Sequence, residues 1–230
     1  MKYRIKIQGG LGNQLFQWAH GIYLESLGHD VFFDLSFYKK NNGDPLIPHR
    51  DFLLKYLLKE KIKENYETKA VQIDGYWQEN HNLELTKGLI KSKLNLEMDV
   101  DLEFKDSCSI HVRRGDYEKL KHIYNSLKPD YYNRAIDLIN PGGPVYIFSD
   151  DIKWCENNLN IKNSFYINQS SAIADFIAMS KCAHNIISNS TFSWWAAWLN
   201  SNDLKKVICP EKWFIHKSAG RLLNTNWLII

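Results

Sequence analysis

The sequence has few cysteines, no long apolar run and no strong excess of either charge. Its four cysteines are widely spaced and form no CxxC pair, which argues against a zinc site and favours reduced core thiols. No stretch approaches the roughly 20 apolar residues that a membrane-spanning helix needs, and the chain enters a predicted strand directly, without a signal peptide. The formal net charge of +3 is too small to indicate nucleic acid as a partner. We therefore expect a cytoplasmic globular protein.

Apolar strands alternate with amphipathic helices along the chain, which predicts an α/β fold with parallel sheets. In the first half, residues 3–8 predict a strand, residues 11–27 a helix and residues 31–34 a second strand. Together they have the form of a βαβ unit that opens the fold.

The turn after the first strand contains a GxG motif that ends at Gly12. A leucine stands where the third glycine of a dinucleotide fingerprint would fall, so a nicotinamide site with Asp34 as its ribose carboxylate is only partly supported. The alternative is a glycine-rich loop that brings the amides of Asn13 and Gln14 to the mouth of a cleft. Such amides can bond a sugar hydroxyl or a phosphate without adding charge.

Three further segments organise the first half. Residues 51–67 have helical periodicity and a basic stretch of lysines, which predicts a helix with a solvated face. Residues 71–76 predict a strand that leads into GYWQ at residues 75–78, an aromatic and amide cluster suited to a carbohydrate. The acidic stretch at residues 97–106 is the predicted domain boundary.

A strand that ends in two arginines is the strongest single signal. Residues 109–112 alternate polar and apolar side chains and stop in Arg113, Arg114, Gly115 and Asp116. The carboxyl edge of an α/β sheet is where such folds bind ligands, and a guanidinium can grip phosphate oxygens with two hydrogen bonds. The pattern predicts a pyrophosphate clamp in which Asp116 holds one guanidinium in place. A buried Arg–Asp pair without a ligand is the structural alternative.

A second polar cluster follows another predicted strand. Residues 185–188 predict the strand and residues 192–199 a tryptophan-rich helix, with the hydroxyls of Ser190, Thr191 and Ser193 at the helix start. The free backbone N–H groups and the dipole of a helix N-terminus favour an anion. Alone, these hydroxyls would be ordinary helix caps. Beside the arginine-ended strand they predict the second half of a pyrophosphate pocket.

Four motifs, in this order and at matching spacing, resemble the bacterial α-1,2-fucosyltransferases of glycosyltransferase family eleven. They are GGLGNQLFQ at residues 9–17, HVRRGDY at 111–117, FSDD at 148–151 and HNIISNSTFSWW at 184–195. The resemblance implies a GT-B-like α/β fold of two facing Rossmann-like domains with parallel sheets. Residues 1–106 would form the acceptor-side domain, and residues 107–230 the GDP-fucose-binding domain with a tail that docks back.

The resemblance also implies roles for single residues. Arg113 would bind the β-phosphate, His111 would line the nucleotide pocket and Asp175 would accept hydrogen bonds from the guanine edge. Asn13 would face the fucose and the acceptor, and it joins Arg113 as a predicted catalytic residue. The other predicted donor-binding residues are Gly12, Gln14, Asn189, Ser190, Thr191 and Ser193, with Arg114 and Asp116 as supports.

The chemistry implied is the inverting transfer of L-fucose from GDP-β-L-fucose to the 2-hydroxyl of a β-galactoside in a surface or lipid-linked glycan. The adjacent acids Asp150 and Asp151 lack the Asp-x-Asp spacing of metal-dependent sugar transferases and are explained as helix caps. We therefore predict no metal and no cofactor, with GDP-fucose as a co-substrate.

Several alternatives stay open. The same fold could use another nucleotide sugar, or serve as a non-catalytic module that binds a sugar or a nucleotide. No general base is assigned among Asp34, Glu79 and Asp116. Peripheral contact with the inner membrane is a further open point.

Overall fold

The computed structural model describes residues 1–39, 50–64, 69–97, 102–120, 122–167, 171–216, 222 and 226–230. The chain divides into two compact units, Met1–Leu96 and Glu97–Ile230. Within the described ranges, no helix has the length and apolar character required to cross a bilayer.

The first unit is built on a small parallel sheet. Its strands lie in the order β2-β1-β3, with Ile5 paired to Phe33 on one side and to Ile73 on the other. The apolar residues of β1 and β2 pack under helix α1, which carries a nearly continuous buried face. The elements are β1 (Lys2–Lys6), α1 (Leu11–Ser26), β2 (Asp30–Asp34), α2 (Ser36–Lys39), a 3-10 turn (Leu54–Tyr56), β3 (Val71–Ile73), α3 (His81–Leu85) and α4 (Lys87–Lys93).

The helix predicted over residues 51–67 is wrong. The described part of this segment, up to residue 64, contains only the short 3-10 turn and isolated bridges. Its backbone is bonded elsewhere: the N–H of Leu54 donates to the side chain of Gln14 at 2.9 Å, and the N–H of Lys59 donates to the carbonyl of Lys93 at 3.1 Å. Partners that are distant in sequence therefore replace the bonds of a local helix.

The second unit contains a larger sheet whose described strands all run parallel. Their order is β6-β5-β4-β7-β8-β9, which counted within the unit is 3-2-1-4-5-6, the order of the Rossmann fold. The elements are β4 (Cys108–Val112), α5 (Gly115–Lys119), α6 (Pro129–Ile139), β5 (Val145–Ser149), α7 (Ile152–Asn158), β6 (Ser164–Ile167), α8 (Ala172–Lys181), β7 (His184–Ile186), α9 (Thr191–Leu199), β8 (Val207–Cys209) and β9 (Leu228–Ile229).

The central strands of this sheet are buried on both faces. All five residues of β4 are buried, and its apolar side chains pack into a cluster with Tyr131, Tyr132 and Ile186. The four cysteines are free thiols in this interior, as the sequence predicts. At the far edge, β9 pairs with β8 and joins the end of the chain to the sheet.

Candidate active site

The carboxyl ends of β4 and β7 lie side by side in the centre of the second sheet. In a 3-2-1-4-5-6 order the connections after these neighbouring strands run in opposite directions, which opens a crevice where such folds bind ligands. Arg113 follows β4 directly, and the residues after β7 lead to Ser190 at the start of α9. The two predicted halves of a pyrophosphate pocket therefore meet at this edge.

His111 connects the two strand ends. Its Nδ1 lies 2.8 Å from the Oγ of Ser188, a residue that is fully buried, and its ring lies beside that of Phe192 on α9. Burial, assisted by the charge of Arg113, lowers the pKa of His111 to about 3. The imidazole is therefore neutral near pH 7 and acts at this site as a hydrogen-bonding and packing group.

Arg113 is held by two carboxylates. Its Nη2 donates to Oδ1 of Asp116 at 2.5 Å, and its Nη1 lies 2.9 Å from Oδ2 of Asp150. A guanidinium carries five N–H donors, so these two contacts leave capacity for a phosphate. The side chain keeps 22% of its surface exposed, which makes it a pre-oriented cation at the mouth of the crevice.

Arg114 points to a different set of partners. Its Nη2 lies 3.2 Å from Glu118, its Nε donates to Asp151 at 3.4 Å, and its guanidinium lies 4.0 Å from the ring centre of Trp154. The guanidinium that Asp116 holds is that of Arg113 and not that of Arg114. Neighbouring residues leave an extended strand on opposite sides, which accounts for the separate environments.

Asp150 was interpreted as a helix cap, but its described bonds go to the arginine loop. One oxygen pairs with Arg113 and the other accepts the backbone N–H of Arg114 at 2.8 Å. The chain can approach this closely because residue 115 is glycine, where a β-carbon would lie 2.6 Å from Asp150 Oδ2. Asp151 does cap α7, accepting the N–H of Trp154 at 3.1 Å.

The start of α9 presents a mixed set of hydroxyls. Ser190 caps the helix, with its Oγ accepting the N–H of Phe192 at 3.4 Å, and Thr191 is half-buried at the first helical position. Ser193 is only 1% exposed, and its Oγ donates to the carbonyl of Ser190 at 3.3 Å. Thr191 is therefore better exposed to a phosphate than Ser193, and the binding role of both stays a prediction.

Asn189 was predicted to bind the donor, and the structure gives its amide a tethering position. Nδ2 donates to the carbonyls of Asn125 at 2.9 Å and Trp213 at 2.7 Å, while the Asn189 carbonyl accepts the hydroxyl of Tyr117 at 3.0 Å. The ring of Tyr117 stacks on that of Tyr124, 4.0 Å away. Asn189 thus joins three loops around the crevice.

Asp175 lies in the first turn of α8 and is half-buried. The helix is capped by Ser171, whose Oγ accepts the N–H of Ala174 at 3.2 Å. The next residue, Phe176, packs edge-on against Phe192 of α9 at 5.5 Å. This contact brings the start of α8 to the same edge of the sheet as α9, which suits the predicted contact with a nucleotide base.

The predicted residues of the glycine loop belong to the first unit. Gln14 is fully buried, and its Nε2 donates to the carbonyls of Gly9 at 3.0 Å and Asp51 at 2.8 Å. The expectation that its amide reaches the mouth of a cleft is therefore corrected, because the amide fastens the loop to the segment after residue 50. Gly12 is buried in the first turn of α1.

Asn13 is half-buried, and its Oδ1 accepts a hydrogen bond from Nε2 of Gln78 at 2.9 Å. Sequence reasoning noted Gln78 as part of an aromatic and amide cluster but missed this pairing, which joins residues 65 positions apart. Asp34 is engaged locally, since its Oδ1 accepts the N–H of Ser36 at 2.8 Å. A carboxylate bonded in this way gives no support to the nicotinamide alternative, in which Asp34 would bind the ribose.

The family model for glycosyl transferase family 11 matches residues 75–229 of the chain. The protein belongs to this family. The match includes the arginine-ended strand, the start of α9 and the GYWQ segment. No solved structure matches the chain.

Three curated relatives of the chain are named as sugar transferases. The O-antigen biosynthesis glycosyltransferase WbnK of Escherichia coli is 42% identical over 146 residues, which are 59% of this chain and 48% of that protein. An alpha-1,2-colitosyltransferase of Escherichia coli is 30% identical over 266 positions, covering 91% of each chain. The galactoside alpha-(1,2)-fucosyltransferase 2 of Bos taurus is 30% identical over 135 residues, 48% of this chain and 39% of its own length. The family 11 chain thus spans about half of WbnK and nearly all of the colitosyltransferase.

Proposed function

We propose that this family 11 protein transfers L-fucose from GDP-β-L-fucose to the 2-hydroxyl of a β-galactoside in a surface glycan, with inversion at the sugar carbon. The observation that carries the proposal is the adjacency of Arg113, anchored by Asp116 and Asp150, to the N-terminus of α9. Both groups donate hydrogen bonds to anionic oxygens, which a nucleoside diphosphate sugar presents. The relatives' names support a glycan acceptor.

In the proposed reaction the bond between fucose C1 and the β-phosphate oxygen breaks, and its electron pair stays on that oxygen. The acceptor oxygen forms the new bond on the opposite face of the sugar, and its proton passes to solvent water. Negative charge therefore grows on the β-phosphate, where a pre-oriented Arg113 stabilises it without reorganisation. Asp116 is engaged by Arg113, so we do not assign it as a base.

We further propose that this transfer needs no metal, because Arg113 and the helix start supply positive charge at the leaving group. Asp150 and Asp151 are explained by their bonds to the arginines and to the start of α7. We expect turnover to be unchanged by EDTA. Activity abolished by chelation and restored by Mn²⁺ would contradict this proposal and reopen the role of the two acids.

The decisive experiment measures GDP release from GDP-fucose with and without lactose, together with the linkage of the product by NMR. We expect GDP release that depends on the galactoside and an α-1,2-linked fucose. Tight binding of GDP-fucose without release of GDP would indicate the non-catalytic alternative. Transfer to another hydroxyl would keep the donor assignment and overturn the acceptor assignment.

A second donor has one observation in its favour, the alignment with a colitosyltransferase over 91% of each chain. Colitose is fucose without its 3-hydroxyl. A site that bonds a hydroxyl rejects the analogue lacking it by orders of magnitude, so kcat/KM for the two GDP-sugars separates the candidates. A clear preference for GDP-colitose would replace fucose in the proposal.

A further inference from the structure

The GYWQ segment, residues 75–78, is fastened to helix α1 of the first unit. The fully buried Gln17 bonds both sides: its Oε1 accepts the N–H of Gln8 at 2.8 Å, and its Nε2 donates to the carbonyl of Gly75 at 3.2 Å. Gln8 follows β1 and Gly75 follows β3, which are neighbours in the sheet. One buried side chain therefore ties two strand exits together.

One turn nearer the start of α1, Asn13 meets the other end of the segment. Because Oδ1 of Asn13 accepts from Nε2 of Gln78, the orientation of the Asn13 amide is set, and its Nδ2 points to the glycine loop. A β-carbon at Gly9 would lie 2.9 Å from this Nδ2, and Gly9 has a φ of +82°. Glycine is thus required at position 9 both for its backbone and for this close approach.

Between these two fastenings the backbone is strained. Trp77 has a φ of +44°, in the left-handed region that bulky residues rarely adopt. Its indole stacks on the ring of His20, with centroids 4.5 Å apart and planes 3° apart. A β-carbon at Gly75 would lie 3.2 Å from Cε2 and Cζ2 of the same indole. Strain that is held by surrounding packing is concentrated at binding and catalytic sites.

The strained backbone displays Tyr76, which is 44% exposed although both of its neighbours are packed. Burial raises the pKa of Tyr38, and the nearby Tyr76 adds to this rise. The hydroxyl of Tyr38 donates to the carbonyl of Gly9 at 2.9 Å. Tyr76 follows Gly75, whose carbonyl is bonded by the same Gln17 side chain as the backbone of Gln8 after β1, so Tyr76 lies at the same edge of the first sheet as the glycine loop.

We propose that Tyr76 and the Asn13–Gln78 amide pair form a saccharide subsite in the first unit. The Tyr76 ring would stack on the apolar face of a pyranose, and Nδ2 of Asn13 would donate to one of its hydroxyls. Gln78 is a positioning residue that acts through Asn13. Uncharged amides and a phenol suit a neutral sugar rather than a phosphate. The inference rests on the proposed function, in which this sugar is the galactoside acceptor.

The first test measures binding in the absence of turnover. It uses saturation-transfer NMR of the full chain with methyl β-D-galactopyranoside. Tyr76→Ala is compared with Tyr56→Ala, which removes another exposed tyrosine of the same unit. We expect transfer to the sugar in the wild type and in Tyr56→Ala, and its loss in Tyr76→Ala. Three results would overturn the subsite. They are retained saturation transfer in Tyr76→Ala, an equal loss of saturation transfer in both variants, and no saturation transfer in the wild type.

The second test inverts the Asn13 amide. Gln78→Glu keeps the shape of the side chain but removes its N–H donors, so Asn13 turns to donate Nδ2 to the new carboxylate and presents its oxygen to the sugar. We expect the KM for lactose to rise about tenfold, the value of one lost hydrogen bond, with the KM for GDP-fucose and the melting temperature unchanged. An unchanged lactose KM, or a rise that appears only with a loss of melting temperature, overturns the positioning role.

The two tests also separate this inference from the proposed function. If the wild type releases no GDP, the proposed function fails while the binding comparison still decides the subsite. If the wild type turns over and Tyr76→Ala keeps a normal lactose KM, the subsite alone fails.

Discussion

Asp150 pairs with Arg113 across the ends of two neighbouring strands, with 2.9 Å between Oδ2 and Nη1. The strands β4 and β5 are in register up to Val112 and Ser149, so the two residues leave the sheet side by side. With Asp116 on the other nitrogen, the guanidinium has a defined direction before any ligand arrives. Such preorganisation is what makes an electrostatic group effective in a transition state.

The first prediction concerns Arg113→Lys. Lysine keeps the positive charge but loses the planar fork, so geometry is tested separately from charge. If Arg113 grips the departing phosphate, kcat should fall by roughly 10²–10³, the effect of removing a comparable donor, while the KM for GDP-fucose changes much less. The measurement is steady-state release of GDP.

Arg114→Lys is the matched control. Because Arg114 lies on Trp154 and pairs with Glu118 and Asp151, we expect a lower melting temperature and a much milder loss of turnover. A folded Arg113→Lys protein with near-normal kcat would contradict the clamp. A large loss only at Arg114 would assign the clamp to the other face of the strand.

The second prediction concerns the acid behind Arg113. Asp150→Asn keeps the volume of the side chain but removes the charge that orients the guanidinium. We expect kcat to fall about tenfold, the value of one charge-assisted hydrogen bond, with circular dichroism unchanged. Asp151→Asn keeps an amide oxygen that can still cap α7 and loses only the 3.4 Å ion pair with Arg114, so the unfolding free energy should change little and most of the turnover should remain. Equal effects of the two changes on kcat would argue against a specific role for Asp150.

The third prediction concerns the nucleotide base. If Asp175 accepts from guanine N1–H and N2–H₂, GDP should bind far more tightly than UDP or NAD, because a site built for such groups penalises a base lacking them. Calorimetry on the wild type and Asp175→Asn measures this preference, which the variant should largely lose. Equal affinity of the wild type for GDP and UDP would remove the guanine assignment, and tight NAD binding would favour a nicotinamide enzyme.

Much of the second unit follows from its sequence pattern. The alternation into Arg113 and the apolar segment at residues 185–188 predicted strands that the structure contains, and the hydroxyls before α9 predicted its start. Local patterns of this kind depend on residues near in the chain. The order of the strands does not, because it depends on which distant segments pair, and it is this order that places the end of β4 beside the end of β7.

The wrong predictions also reflect the difference between local patterns and contacts between distant segments. Gln14 was expected at a cleft, but it bonds Asp51 and Leu54, some 40 positions away, and this tether also replaces the predicted helix there. Asp150 was interpreted locally as a cap, whereas its partners are the arginines 36 and 37 positions earlier. In each case a polar side chain with several possible partners took one that only the tertiary fold supplies.

The last prediction uses His111. Its pKa is lowered to about 3 in the fold, against about 6.5 in an unfolded chain. Between these values the unfolded state binds the extra proton, so the contribution of His111 to stability is present above about pH 6.5 and is lost as the pH falls toward 3. One titrating group changes the unfolding free energy by up to about 1.4 kcal/mol per pH unit. Urea unfolding of the wild type and His111→Gln at pH 7, 5.5 and 4.5 measures the difference.

Glutamine cannot titrate but can still bond Ser188, so His111→Gln should have a shallower pH dependence below pH 6.5 by about 1.4 kcal/mol per unit. The exposed His122 provides a control substitution, His122→Gln, which leaves the His111–Ser188 contact in place. Equal slopes in the wild type and His111→Gln would mean that the imidazole takes up its proton in the folded state. The neutral His111–Ser188 bridge between β4 and β7 would then be wrong, and with it the account of how the two strand ends are held together at the crevice.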